Sequence, residues 1–244
     1  DYRRAPAMGA RVAGDDDTPA GRTVHADRVG YVRYIDMQAL QDLAKERSAW
    51  FHLRVRPGVL VHPGRVLLVA QHGTTVDDSK LRAAFVLGDG RSYDQDPRFG
   101  LIVLCEVAQR ALSSSVNDPG TAIAAMNTIT RVLVDAKPDA DEKLEQPDYD
   151  RLTMVSLHEA DFVEQSFDPI ARDGAAVLEV QLRMQKLLAI IAEHCPGALA
   201  HAAHRQATTA LRRGEHGLML DQDRAALREQ WAALHGAAAD AANQ

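Results

Sequence analysis

The residues best suited to chemistry lie between Gly88 and Ala122, in the run GDGRSYDQDPRFGLIVLCEVAQRALSSSVNDPGTA. Within it Arg91, Asp94, Asp96, Glu106, Arg110, Asn117, Asp118 and Thr121 form the candidate set. Carboxylates can move protons and guanidiniums can hold an anion. Between Phe99 and Leu112 nearly every position is apolar or small, which predicts a helix buried on all sides. Glu106 and Arg110 then fall four residues apart on one face, and buried charges must be paired. Three readings follow from the same groups. The first is a structural lock, in which Glu106 and Arg110 pair with each other and with Arg91 or Asp96. The second is a ligand or ion site, and the third is catalysis by the Glu106 and Asp118 carboxylates.

Two helices must position these groups. Asp118 before Pro119 is a strong start signal, because Asp caps the free amides of a first turn and Pro is preorganised at the first helical position. A second helix is therefore expected from Pro119 to Ala136, with Ser113, Ser114 and Ser115 filling the turn before it. Asn117 and Asp118 sit at its N-terminus, where free amides favour an anion. The product is a helical hairpin over 99–136 with its polar groups at the bend.

Upstream, residues 1–22 lack apolar periodicity and read as a linker or arm. Short alternating runs follow at Tyr31 to Ile35 and Trp50 to Val55, then Val59 to Val61 and Val66 to Ala70, separated by turns at Pro57-Gly58 and His62-Pro63-Gly64. Asp36 can cap a helix from Met37 to Arg47. This predicts a small β-rich barrel, barrel-sandwich-like, over 23–74 with one helix closing an end. A mostly helical domain over 75–244 is expected to follow. It starts with a helix through Lys80 to Leu87, contains the hairpin, treats LEQPDYD as a loop, and ends in helices at 161–172, 175–193, 197–213 and 221–234. The fold class is α+β, a barrel-like N-terminal part followed by a helical bundle.

Composition narrows the function. A net charge of -6 and no Lys/Arg block interleaved with aromatics argue against nucleic acid as a partner. The longest apolar run, Leu101 to Val107, is far shorter than the roughly 20 residues needed to cross a bilayer. Cys105 and Cys195 belong to no disulfide framework or metal motif. His201 and His204 share a helix face near His194 and Cys195, and His158 opens LHEAD, but neither spacing matches a metal signature, so no metal site is assigned. P-loop, G-x-G-x-x-G and G-x-S-x-G motifs are absent, and the cofactor is unknown.

The segments GRSYDQDPRFGL, EVAQRALS and NDPGTA, with GYVRYID and PGVLVHPGRVLLV upstream, resemble the domain of unknown function 2254 family of bacterial predicted membrane proteins. The resemblance runs from about Val24 to Val134 and is weaker after Asp161. It implies several N-terminal transmembrane helices preceding a soluble C-terminal region, the part this chain matches. An even number of spans, four, would put both ends on the cytoplasmic side of the bacterial inner membrane. Family members read Ser-Pro-Gly where this chain has Ser113, Ser114 and Ser115, a departure that loosens the turn. The family supplies no catalytic residues. Two functions are thus expected. One is a regulatory or assembly domain of a multi-span membrane protein engaged in transport or sensing, whose partners are its own transmembrane region and further copies of itself. The other is a membrane-tethered enzyme or small-anion-binding domain with its site at the hairpin bend.

Overall fold

A computed structural model describes residues 7–13, 19–72, 76–136 and 147–242, the last six of these as helical backbone only. The architecture is α+β and falls into two compact units. The first comprises Asp1–Gly100 with Pro138–Leu157, and the second Leu101–Lys137 with His158–Gln244. The division therefore differs from the one expected at residue 74.

In the first unit β1 (Ala10–Ala13), β2 (Arg22–His25), β4 (Trp50–Leu53), β6 (Val66–Gln71) and β8 (Tyr149–Val155) form a five-stranded sheet in the order β1-β8-β4-β6-β2. A three-stranded sheet has the order β5-β3-β7, from β5 (Leu60–Val61), β3 (Gly30–Ile35) and β7 (Phe85–Gly88). The strands thus make two sheets, not one closed barrel. Two expectations fail with it. Part of the arm is a strand, since β1 pairs in parallel with β8, although residues 1–6 and 14–18 lie outside the described residues. Residues 85–87 are strand where a helix through Leu87 was expected, because α2 (Asp78–Ala83) is only a short helix. The LEQPDYD loop gives way to β8 at Tyr149, and its first residues lie outside those described.

Alternation explains the sheet. Phe51 and Leu53 point inward from β4 and meet Leu152 and Met154 of β8 across a parallel register. Helix α1 (Met37–Glu46) starts where Asp36 accepts from the Ala39 amide at 2.9 Å, and it buries Met37, Leu40 and Ala44. Its buried Gln41 accepts from the Arg151 amide at 3.1 Å and donates to Asp150, fixing α1 to β8. The Pro-Gly pairs form the expected turns: Val59 N–H reaches Arg56 O and Arg65 N–H reaches His62 O, with Gly58 and Gly64 at φ +88° and +89°.

The second unit is a helical bundle. Helix α3 (Pro97–Leu112) enters it at Leu101, and α4 (Pro119–Asp135), α5 (Ala160–Asp173), α6 (Leu178–His194), α7 (Ala198–Gly217) and α8 (Asp221–Ala242) follow. Phe162, Phe167, Val180, Met184, Leu188, Ile191, Ala203 and Ala207 are buried within it.

Candidate functional site

Three of the eight candidate residues lie in the first unit, on the loop after β7 and just before α3. Gln95 anchors this loop, accepting from the Ile35 amide at 2.8 Å and donating to its carbonyl at 3.2 Å, as a further strand would. Next to it Asp96 is 2% exposed. Its Oδ2 accepts from Arg91 Nε at 2.7 Å and also from Arg91 Nη2, so two donors of one guanidinium converge on one oxygen. Its Oδ1 accepts from the Arg98 amide at 3.3 Å, and the Arg98 guanidinium stands 4.0 Å away, at the start of α3. Arg91 also lies 5.2 Å over the Phe99 ring.

The turn at Gly58 makes room for this pair. A Cβ there would sit 2.6 Å from Asp96 Cγ and 2.9 Å from Arg91 Nη2, both below contact distance, at a φ that only glycine adopts freely. Arg56, two residues earlier, is 7% exposed and donates to the Val155 carbonyl at 2.8 Å. Burial pushes its guanidinium down to about 10, Arg98 adds to the effect and Asp96 opposes it. Asp94 is exposed and accepts from Ser92 Oγ at 2.5 Å. Gln95 thus fastens the loop to β3, and the Arg91–Asp96 pair packs against the turn at Gly58.

The other five candidates lie in the second unit. Here the expected buried pair is overturned, since Glu106 and Arg110 are both exposed. Helix α3 buries one face only, through Leu101, Cys105, Ala108 and Ala111, and the two charges fall outside it. No ion pair joins them among the described residues. Gln109 beside Ala108 donates to Asp173 of α5 at 2.7 Å. Burial, with Asp173 and Glu106 nearby, pushes the Cys105 thiol up to about 12, so it is held protonated.

At the bend, Asn117 takes a left-handed φ of 50°, which Asn tolerates better than most residues. The Asp118 amide reaches the Ala111 carbonyl at 2.8 Å and closes the turn. Asp118 then accepts from the Thr121 amide at 3.1 Å and from Thr121 Oγ1 at 2.6 Å. Those bonds, the hydroxyl first, hold its carboxyl below the usual range. The cap thus occupies the position where the helix N-terminus would take an anionic ligand. Asn117, Asp118 and Thr121 are all exposed.

Chemically, then, the groups brought together are Arg91 with Asp96 and Asp118 with Thr121. Asp96 is buried in its pairing, and Asp118, though exposed, is committed to capping α4. Two clefts, of about 490 Å³ between α5 and α7 and about 340 Å³ beside β7, are lined by none of the eight residues. Among the described residues no group of three or more His, Cys, Asp or Glu side chains is placed to hold a metal ion.

Several polar residues escaped the sequence reading. Gln181 and Gln185 are fully buried on α6, Gln181 donating to the carbonyls of Ala171 in α5 at 3.2 Å and of Gly174 just after it at 3.0 Å, and Gln185 to Ala207 of α7 at 3.1 Å. Their signal was present: both fall on the apolar stripe with Val180, Met184 and Leu188. His204 and His235 also meet, on α7 and α8, with no local spacing to announce it.

A family model described as predicted membrane protein (DUF2254) matches residues 4–190. No curated protein and no solved structure matches the chain.

Proposed function

The chain belongs to the DUF2254 family of predicted membrane proteins, and from that premise we propose that it is the extramembrane part of a multi-span bacterial inner-membrane protein, facing the cytoplasm and serving regulation or assembly in transport or sensing. One observation carries the preference for this role over catalysis. Two of the acidic candidates are engaged in holding structure, Asp96 under Gly58 with Arg91 and Asp118 on the first turn of α4. Among the described residues no helix is long and apolar enough to cross a membrane, so the proposal assigns the spans to a separate region of the same polypeptide. That region is the first partner. Further copies of the protein are the second, since membrane-anchored oligomers are usually symmetric.

Two measurements on the full-length protein test this. Protease should remove this part from inside-out membrane vesicles and leave it intact in spheroplasts, and light scattering in detergent should give a discrete oligomer. Digestion in spheroplasts would overturn the sidedness, and a strict monomer would overturn the assembly role.

A further inference from the structure

The strongest unassigned chemistry lies where α6, α7 and α8 meet. His235 on α8 is 2% exposed, and its Nε2 stands 3.1 Å from the Gln185 carbonyl oxygen of α6. A carbonyl only accepts, so that nitrogen carries the ring proton and Nδ1 presents a lone pair. The lone pair faces Nδ1 of His204 on α7 at 3.3 Å, with the two rings nearly perpendicular.

We propose that His204 and His235 chelate one divalent transition-metal ion of the zinc class through their two Nδ1 atoms. Two nitrogens about 2.05 Å from an ion and 3.3 Å from each other subtend roughly 107° at it, close to the tetrahedral angle. His235 already has the required tautomer, and its distal N–H is held by a backbone carbonyl, the outer contact that commonly orients metal-ligating imidazoles. On binding, the proton between the rings moves to Nε2 of His204, so a neutral pair takes the ion without net proton release.

Among the described residues no third His, Cys, Asp or Glu joins the pair, so water would fill the remaining coordination positions from the side of half-buried His204. Imidazole selects zinc, nickel or copper, whereas magnesium and calcium prefer oxygen. Both ligands lie beyond residue 190, where the family match ends, and the site does not depend on the function proposed above. Its effect would be to tie α8 to α7 directly and to α6 through Gln185.

The test uses the full chain, freed of metal with a chelator and titrated with zinc chloride by calorimetry, with magnesium chloride as control. Trp231, whose ring lies 6.5 Å from that of His235, reports the same site by copper quenching in a Trp50→Phe background. One equivalent of zinc should bind and raise the melting temperature of the Trp231 signal. His204→Ala, at a half-buried position where folding survives, should weaken binding at least tenfold, and His201→Ala by no more than threefold. His204→Asn gives the same reading with ring volume better matched, and circular dichroism confirms that both fold. No saturable zinc binding up to 1 mM, or undiminished binding by both His204 variants, would overturn the proposal.

Discussion

Gly58→Ala offers the sharpest perturbation of the loop that carries Arg91 and Asp96, because Gly64 provides a matched control. Both glycines follow a proline in a tight turn, at φ +88° and +89°. A Cβ in the left-handed region costs about 1–2 kcal/mol at either position. At Gly64 nothing lies within 4 Å of the added carbon, so that cost is the whole effect. At Gly58 the carbon meets Asp96 Cγ at 2.6 Å and Arg91 Nη2 at 2.9 Å, and the carboxylate is 2% exposed. The buried pair has to separate, which adds about 3–5 kcal/mol when a buried ion pair loses its partner. Gly58→Ala should thus lose about 4–7 kcal/mol and Gly64→Ala about 1–2. With a urea slope near 2 kcal/mol/M, the midpoints fall by roughly 2–3.5 M and 0.5–1 M. The chain has two tryptophans, Trp50 in the first unit and Trp231 in the second, so a Trp231→Phe background makes Trp50 the reporter for this unit. Equal losses in the two variants would refute the claim that Gly58 is a cradle for the ion pair.

Glu106→Gln and Arg110→Met change exposed side chains on the outer face of α3 and should each leave stability within about 0.5 kcal/mol in urea melts. Asp118→Ala should loosen the start of α4 and speed amide exchange over residues 120–122. Because the carboxyl of Asp118 is held below its usual range, its contribution is present above the unfolded value near 3.8 and is lost as pH falls through the lower folded value. His204 and His235 have lowered folded values, so the unfolded chain binds more protons, and the stability they confer is complete above about 6.5 and declines as pH drops below it. Thermal melts followed by Trp231 at pH 7.5 and 5.5 should show the lower transition at the acidic pH. Cys105, its thiol pushed up to about 12, should resist iodoacetamide at pH 8 in the native chain and react only after unfolding.

What the sequence disclosed was set by local chemistry. Pro57-Gly58 and Pro63-Gly64 announced their turns, Asp36 and Asp118 announced their caps, and period placed α5 to α7 to within a few residues and the start of α8, whose end at Ala242 lies eight residues past the one expected. The five-stranded sheet was beyond local reading, because β8 is contributed from residues 149–155 and inserts in parallel between β1 and β4. No pattern near Trp50 specifies a partner a hundred residues later. Helix α3 misled for a different reason. Its apolar residues are numerous enough to imply burial all round, yet Val107 remains 45% exposed and the buried face is built from Ala108, Ala111, Leu101 and Cys105. Glu106 and Arg110 lie outside that face, so the pairing argument lost its premise. Asp96 looked no different from Asp94 in sequence. Its burial depends on the absence of a side chain at Gly58, a long-range condition that a single sequence does not display.

The loop before α3 locks structure through Arg91 and Asp96 instead of performing chemistry, and a double-mutant cycle between the two tests this most directly. Arg91→Met and Asp96→Asn, singly and together, would be measured by urea unfolding in the Trp231→Phe background. Each single change should cost about 3–5 kcal/mol by stranding a buried charge or hydrogen-bonding group, and the double variant should cost far less than their sum. Single losses under about 0.5 kcal/mol that simply add would contradict the lock.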